Sequence, residues 1–229
     1  MIDLELPPSN EVNVEALSEI FKSTTNSYKY LFFLSILDIL KREQFRGVSP
    51  LSFEDIFVEM LVNAWYPHHY FTLSLGIRDT IGRKLDALKL GRIERIANFT
   101  TSDKSQLRQA IRENDLEPII TDLKKNVPFR LIRPFLIEKL RQFDVNYQVV
   151  QETPRIADLY FETYKPLYKF NGITFQECDA ILFHPAWLNY LRVNYTIIRG
   201  WADWEWLDYM QRQNPTVHNL AGKLFVPES

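Results

Sequence analysis

The soft metal ligands of this 229-residue chain are four histidines and one cysteine. Cys178 has no partner at CxxC spacing, so a thiolate zinc site is not expected. His68 and His69 are adjacent, which on a helix turns them about 100° apart and on a strand puts them on opposite faces, so they do not share a metal. They follow Tyr66-Pro67 at an expected helix end, where capping or aromatic stacking is the plainer role. His184 precedes Pro185 at a helix start and His218 lies in a C-terminal loop; both read as structural or exposed. No GxSxG, Walker-type glycine loop, GxGxxG or HExxH occurs, and the carboxylates of Glu54-Asp55 and of Asp203 and Glu205 suit a solvated helix face. No catalytic constellation is legible in the sequence, which leaves open a site assembled from scattered residues.

Two further features bear on binding. Residues 1–77 carry 5 basic and 10 acidic side chains, residues 78–141 carry 15 and 9, and residues 142–229 carry 7 and 10, within a chain of formal net charge -2. In the basic middle segment Arg83, Lys84, Arg92, Arg95, Lys124, Lys125, Arg130 and Arg133 are candidate phosphate contacts if the helices align them; solvated helix faces explain the same residues equally well. The aromatic run Trp201 to Tyr209 is the second feature. Trp201 and Trp204 are three apart and share a face with Ile197 and Ile198, so they are read as core rather than as a base-stacking platform, with Trp206 pointing elsewhere.

The elements that would position these residues are mostly helical. With 46% hydrophobic residues, 16 Phe, 11 Tyr and 5 Trp against 7 Gly, the chain can build a large core without staples. The lone cysteine and the start MIDLELPP, with neither basic nor apolar leader regions, point to a cytoplasmic protein. The longest apolar run, Tyr30 to Leu37, falls short of the roughly 20 residues a bilayer demands and predicts a buried helix, with Lys41 and Arg42 near its C-terminal end. Ser52 predicts the cap of a helix that buries Phe53, Ile56, Phe57, Met60, Leu61 and Ala64 and stops at Pro67. Ile77, Ile81, Leu85 and Leu88 predict another, and residues 103–125 one or two more with a break near Pro118. Residues 127–143 predict a further helix with two prolines near its start.

After Phe143 the pattern shifts. NYQVV alternates and reads as β-prone, while LYKFNGITF places Asn171-Gly172 between two β-prone arms, predicting a hairpin near residues 167–175. His184-Pro185 then opens a long helix through Trp187, Leu191, Asn194, Ile198 and Trp201. The tail TVHNLAGKLFVPES is apolar enough to need cover.

Several stretches, in order along the chain, resemble the N-terminal region of large bacterial HNH endonuclease domain-containing proteins: FKSTTNSYKYLFFLSILDIL at 21–40, EMLVNAWYPHHYFTLSLGIRD at 59–79, VPFRLIRPFL at 127–136, the hairpin, and YMQRQNPTVHNLAGKLF at 209–225. These are packing motifs rather than catalytic ones. The resemblance implies a metal-dependent nuclease module, marked by an Asp-His pair, following Ser229. This chain holds no Asp-His dipeptide, so no cleaving residue carries over to its positions and a divalent metal would belong to that separate module.

The expected fold is therefore mainly α: an N-terminal helical lobe over residues 1–145 containing the basic segment 78–141, and a C-terminal lobe over 146–229 with the hairpin and an aromatic-rich helix. The expected function is the non-catalytic nucleic-acid-recognition or scaffolding part of an HNH-type nuclease, truncated or split from its catalytic half. Expected partners are DNA or RNA and an HNH domain or subunit, with no membrane. The alternative is a helical protein-interaction module with no nucleic-acid role.

Overall fold

The computed structural model describes residues 5–22, 24–46, 50–143 and 145–228. The chain is mainly α, with one small three-stranded antiparallel sheet. The first half runs α1 (Val14–Ser18), α2 (Tyr28–Arg42), β1 (Leu51–Ser52), α3 (Phe53–Phe71), α4 (Ile81–Ala87), α5 (Lys104–Arg112), α6 (Glu117–Asn126), α7 (Pro128–Leu131) and α8 (Ile137–Leu140). Short 3-10 turns at Gly91–Arg95, Thr101–Asp103 and Arg133–Leu136 link them. The second half runs α9 (Asn146–Leu159), α10 (Phe161–Tyr164), β2 (Tyr168–Phe170), β3 (Ala180–Phe183), α11 (Pro185–Val193), α12 (Tyr195–Gln213) and α13 (Leu220–Leu224).

Helix α3 is the hub, because α2, α4, α5, α6 and α13 all pack on it. That crowding explains why its buried set extends past the predicted stripe to Val58, Glu59, Val62 and Trp65. Ser52 caps it as expected, its hydroxyl accepting from the Asp55 N–H at 3.0 Å. Pro67 does not stop it. A proline inside a helix removes one N–H from the ladder, and the helix continues to Phe71 before Thr72, at φ 50°, turns left-handed and ends it. Helix α2 is buried on most sides, as its apolar run requires. Its Ser27 N–H and hydroxyl both donate to Asp79, at 2.9 and 2.5 Å, so the side chain that closes this helix start comes from a distant loop. Ile77 is 97% exposed and takes no part in the face that Ile81 and Leu85 bury.

NYQVV is helical, not a strand. It opens α9, whose Val149, Val150, Thr153, Ile156 and Ala157 recur at three- and four-residue intervals and bury one face against α7, α8 and β2. Tertiary burial overrides the local β preference there. The hairpin is real but its arms differ from the expectation. Strand β2 pairs with β3 in the register Tyr168↔Phe183, Lys169↔Leu182 and Phe170↔Ile181, and Ile173 to Phe175 lie in the loop between them. Asn171 closes that loop, its Oδ1 accepting from the Asp179 and Ala180 N–H groups at 3.0 and 3.1 Å. Strand β1 adds a third member through Leu51↔Ile181.

The long helix expected from Pro185 is two helices, broken at Asn194. In α12 the buried positions are Ile198, Trp201, Ala202, Trp206, Tyr209 and Met210. Trp206 is therefore core, four residues after Ala202 and four before Met210, while Trp204 is 46% exposed. Helix α12 packs on α2, where Phe21 stacks on Tyr30 at 4.6 Å and Trp201 and Tyr209 close around the pair. The tail forms helix α13, whose Leu220 and Leu224 are buried where it packs on α3 and α12. One continuous cluster of buried side chains runs from Val12 to Leu224. Among the described residues no helix is long and apolar enough to cross a membrane.

Candidate anion-binding face

The fold distributes the eight basic candidates over five elements. Arg83 and Lys84 sit on α4, Arg92 and Arg95 on the 3-10 turn Gly91–Arg95, Lys124 and Lys125 in the last turn of α6, Arg130 on α7, and Arg133 at the start of the 3-10 turn Arg133–Leu136. Lys84 is committed to Asp122 at 2.6 Å, which ties α4 to α6. Lys124 donates to the Gln176 carbonyl at 3.2 Å and lies 5.0 Å from the Phe175 ring centroid, so it anchors the β2–β3 loop. Arg83, Arg92, Arg95 and Lys125 are exposed. A groove of about 810 Å³ between α4 and α6 brings Arg83, Lys84 and Lys89 together, but Glu113, Asp115 and Asp122 line it too. Three cations facing three carboxylates give that groove no preference for a polyanion.

A different set of cations has no carboxylate partner among the described residues. Lys29 lies in the first turn of α2, where the helix dipole disfavours a cation. Its ammonium is half-buried and donates to the Ile20 carbonyl at 3.1 Å, just beyond α1. Helix α1 packs on the turn Arg133–Leu136, which directly follows α7, the helix that carries Arg130. Burial, then Arg133 and Arg130, push the Lys29 ammonium down to about 8. Burial and Arg133 push the Arg130 guanidinium down as well. Arg133 donates from Nη1 to the neutral Asn146 Oδ1 at 3.3 Å. No carboxylate among the described residues pairs with any of the three, and the Arg130 guanidinium has no hydrogen-bond acceptor among them.

Lys29 is the member that sequence reasoning missed. It belongs to the acidic first segment, about 100 residues from Arg130, and only the packing of α1 joins them. The signal it left was a single lysine between Tyr28 and Tyr30 at the head of an apolar helix.

The other ionic cluster has the opposite character. The Glu59 carboxylate, 1% exposed, accepts from Arg42 Nη1 at 2.9 Å and from Arg108 Nε and Nη2 at 2.6 and 2.8 Å. Asp38 accepts from Arg199 and from Asn63 Nδ2, Arg199 donates also to Asp203 at 2.9 Å, and Lys104 donates to Asn63 Oδ1 at 3.2 Å. Burial pushes Lys104 down and Asp203 up. Each of these charges meets a partner, and the seam they form joins α2, α3, α5 and α12. Such a network fixes the packing of helices rather than awaiting a ligand.

The histidines diverge as their adjacency predicts. His68 Nε2 meets Asp86 Oδ1 at 2.7 Å, whereas His69 stacks on Trp65 at 4.5 Å and bonds the Glu94 carbonyl at 3.1 Å. His184 caps α11, its Nδ1 accepting from the Ala186 N–H at 3.2 Å. Burial pushes the Cys178 thiol up to about 11, and its Sγ donates to the Gly172 and Thr174 carbonyls. Among the described residues no three His, Cys, Asp or Glu side chains are grouped to hold a metal ion. The chain matches no family model, no curated protein and no solved structure.

Proposed function

We propose that this chain is a non-catalytic, cytoplasmic nucleic-acid-recognition module that holds phosphates with Lys29, Lys125, Arg130 and Arg133. The observation that carries the reading is that Lys29, Arg130 and Arg133 are half-buried and none of them pairs with a carboxylate among the described residues. Half-buried like charges cost stability unless a counter-charge arrives, and phosphates are the anions that clustered Lys and Arg side chains serve. Its place as the recognition part of an HNH-type nuclease, with the metal and the cleaving residues supplied by a separate module, rests on the sequence resemblance alone.

A second reading, a helical protein-interaction module, is favoured by the exposed apolar side chains Val193, Ile197 and Trp204 on α11 and α12. Salt separates the two. For duplex DNA each phosphate contact contributes about 0.9 to the slope of log affinity against log salt, so four contacts lower affinity by about two decades between about 50 and 200 mM salt. The triple variant Lys125→Ala, Arg130→Ala, Arg133→Ala is expected to flatten that slope in a fluorescence-anisotropy titration with its helical circular dichroism unchanged. Absence of binding at low salt, or an unchanged slope in the variant, overturns the nucleic-acid reading.

A further inference from the structure

His184 caps α11 with a ring that is itself buried. Its Nδ1 accepts from the Ala186 N–H at 3.2 Å, and its carbonyl accepts from the Trp187 and Leu188 N–H groups at 2.9 and 3.1 Å. The residue is 6% exposed, and its own N–H is spent on the Leu167 carbonyl at 3.2 Å. An imidazole nitrogen that accepts a hydrogen bond carries no proton, so the neutral ring bears its proton on Nε2. That Nε2 is shut off from solvent and has no hydrogen-bond partner among the described residues. Glu162 Oε2 lies 3.9 Å from it, beyond hydrogen-bond range, on a side chain that is 86% exposed.

A second proton can enter this ring only at Nδ1, the atom that holds the cap. Two charges act on the imidazole, Glu162 on α10 and Lys165 in the turn after it; α11 brings no acid in its first turn. Phe161 packs on the ring at 4.9 Å, and Lys169, which lies over Phe161, is paired with Asp158 at 2.8 Å. Burial pushes the imidazole below its ordinary value, Glu162 draws it up and Lys165 pushes it down. The start of α11 also fastens two neighbours. The Trp187 indole N–H donates to the Lys165 carbonyl at 2.7 Å, and the Tyr190 hydroxyl donates to the Pro7 carbonyl of the N-terminal arm at 2.6 Å.

We infer that His184 is an acid-operated latch: a proton taken from solvent onto Nδ1 deprives the Ala186 N–H of its acceptor, the imidazolium pairs through Nε2–H with Glu162, and the start of α11 opens. The unfolded chain takes that proton near the ordinary histidine value of about 6.5 and the folded chain resists it. The latch is therefore fully closed above about 6.5 and loosens as pH falls below that value.

The experiment follows hydrogen exchange and imidazole nitrogen shifts of the full chain by NMR at about pH 7.5 and about pH 5, on either side of the ordinary histidine value. The Nε2–H tautomer of His184 is expected at the higher pH. At the lower, the protection factors of the Ala186 amide and the Trp187 indole are expected to fall about fivefold or more, the equilibrium equivalent of losing one N-cap. His184→Asn, which can cap a helix but does not titrate, is expected to hold its protection at both pH values, and Glu162→Gln to move the transition to lower pH. A Nδ1–H tautomer at the higher pH, unchanged protection in the parent, or an equal fall in His184→Asn overturns the latch. Should His184→Asn fail to fold, the tautomer of the parent and the shift in Glu162→Gln decide: an unmoved transition in Glu162→Gln refutes the proposed pairing.

Discussion

Replacing Glu59 with Gln changes one atom in the middle of α3 and tests whether the ionic seam organises the helices. The carboxylate takes a two-bond fork from Arg108 and a third bond from Arg42, and it is 1% exposed. Gln keeps one acceptor oxygen but turns an N–H₂ toward guanidinium donors, which leaves a charged group without its counter-ion. Removing one partner of a buried pair costs about 3–5 kcal/mol. For a chain of this size each kcal/mol moves the melting temperature by about 2–4 °C, so Glu59→Gln is expected to melt about 10 °C lower. Scanning calorimetry with urea unfolding at pH 7 measures both quantities. The companion variant, Glu59→Met with Arg108→Met, removes both partners of the fork and leaves Arg42, half-exposed, to water. Apolar replacement of a whole buried pair is frequently neutral, so the double variant is expected to be more stable than Glu59→Gln. A loss below about 1 kcal/mol for Glu59→Gln, or a double variant as unstable as the two single Met variants combined, refutes the reasoning.

Lys29 gives a pH-dependent prediction whose sign is fixed by its depression from 10.5 to about 8. The unfolded chain holds the Lys29 proton up to about pH 10.5 and the folded chain releases it near 8, so the folded state is penalised fully below pH 8 and relieved as pH rises to 10.5. At about 1.36 kcal/mol per pH unit, the parent should gain about 3 kcal/mol on Lys29→Met across that window, measured by urea unfolding; parallel stability curves for the two proteins refute it. Of the five tryptophans, Trp65, Trp187, Trp201 and Trp206 are buried and Trp204 is not. Acrylamide is therefore expected to quench a minor part of the fluorescence strongly, and Trp204→Phe to remove that part with a change in stability within about 0.5 kcal/mol; a quenchable fraction that persists in the variant contradicts the packing of α12.

What the sequence made legible was whatever depends on near neighbours. The Ser52 cap, the break before Pro118, the Pro185 start of α11 and the burial of α2 all follow from residue type and helical spacing within one or two turns, and the structure has each of them. The misses share a cause, which is contact at long range. The β-prone NYQVV is helical because α7, α8 and β2 bury its apolar face. Asn171-Gly172 opens a longer loop because β3 also pairs with β1, more than 100 residues earlier, and Ala180 to Phe183 is the segment that can serve both neighbours. Trp204 and Trp206 exchange their expected places because the face of α12 is chosen by α2, and the period set by Ile198, Ala202, Trp206 and Met210 fits it.

The same distinction separates the two charged clusters. Seven charged side chains in the α2, α3, α5 and α12 seam, Asp38, Arg42, Glu59, Lys104, Arg108, Arg199 and Asp203, come from distant segments; the three arginines each donate to a carboxylate, and Lys104 donates to the Asn63 amide. The fold can thus deliver a carboxylate to a buried cation when packing calls for one. Beside Lys29 and Arg133 the described residues supply a backbone carbonyl and the amide of Asn146, both neutral. Groups that serve packing alone gain from neutralisation, because an unpaired charge removed from water costs more than a paired one. Lys29, Arg130 and Arg133 have no carboxylate partner among the described residues, and under the proposed reading that leaves their donors to an incoming phosphate, with which an internal carboxylate would compete.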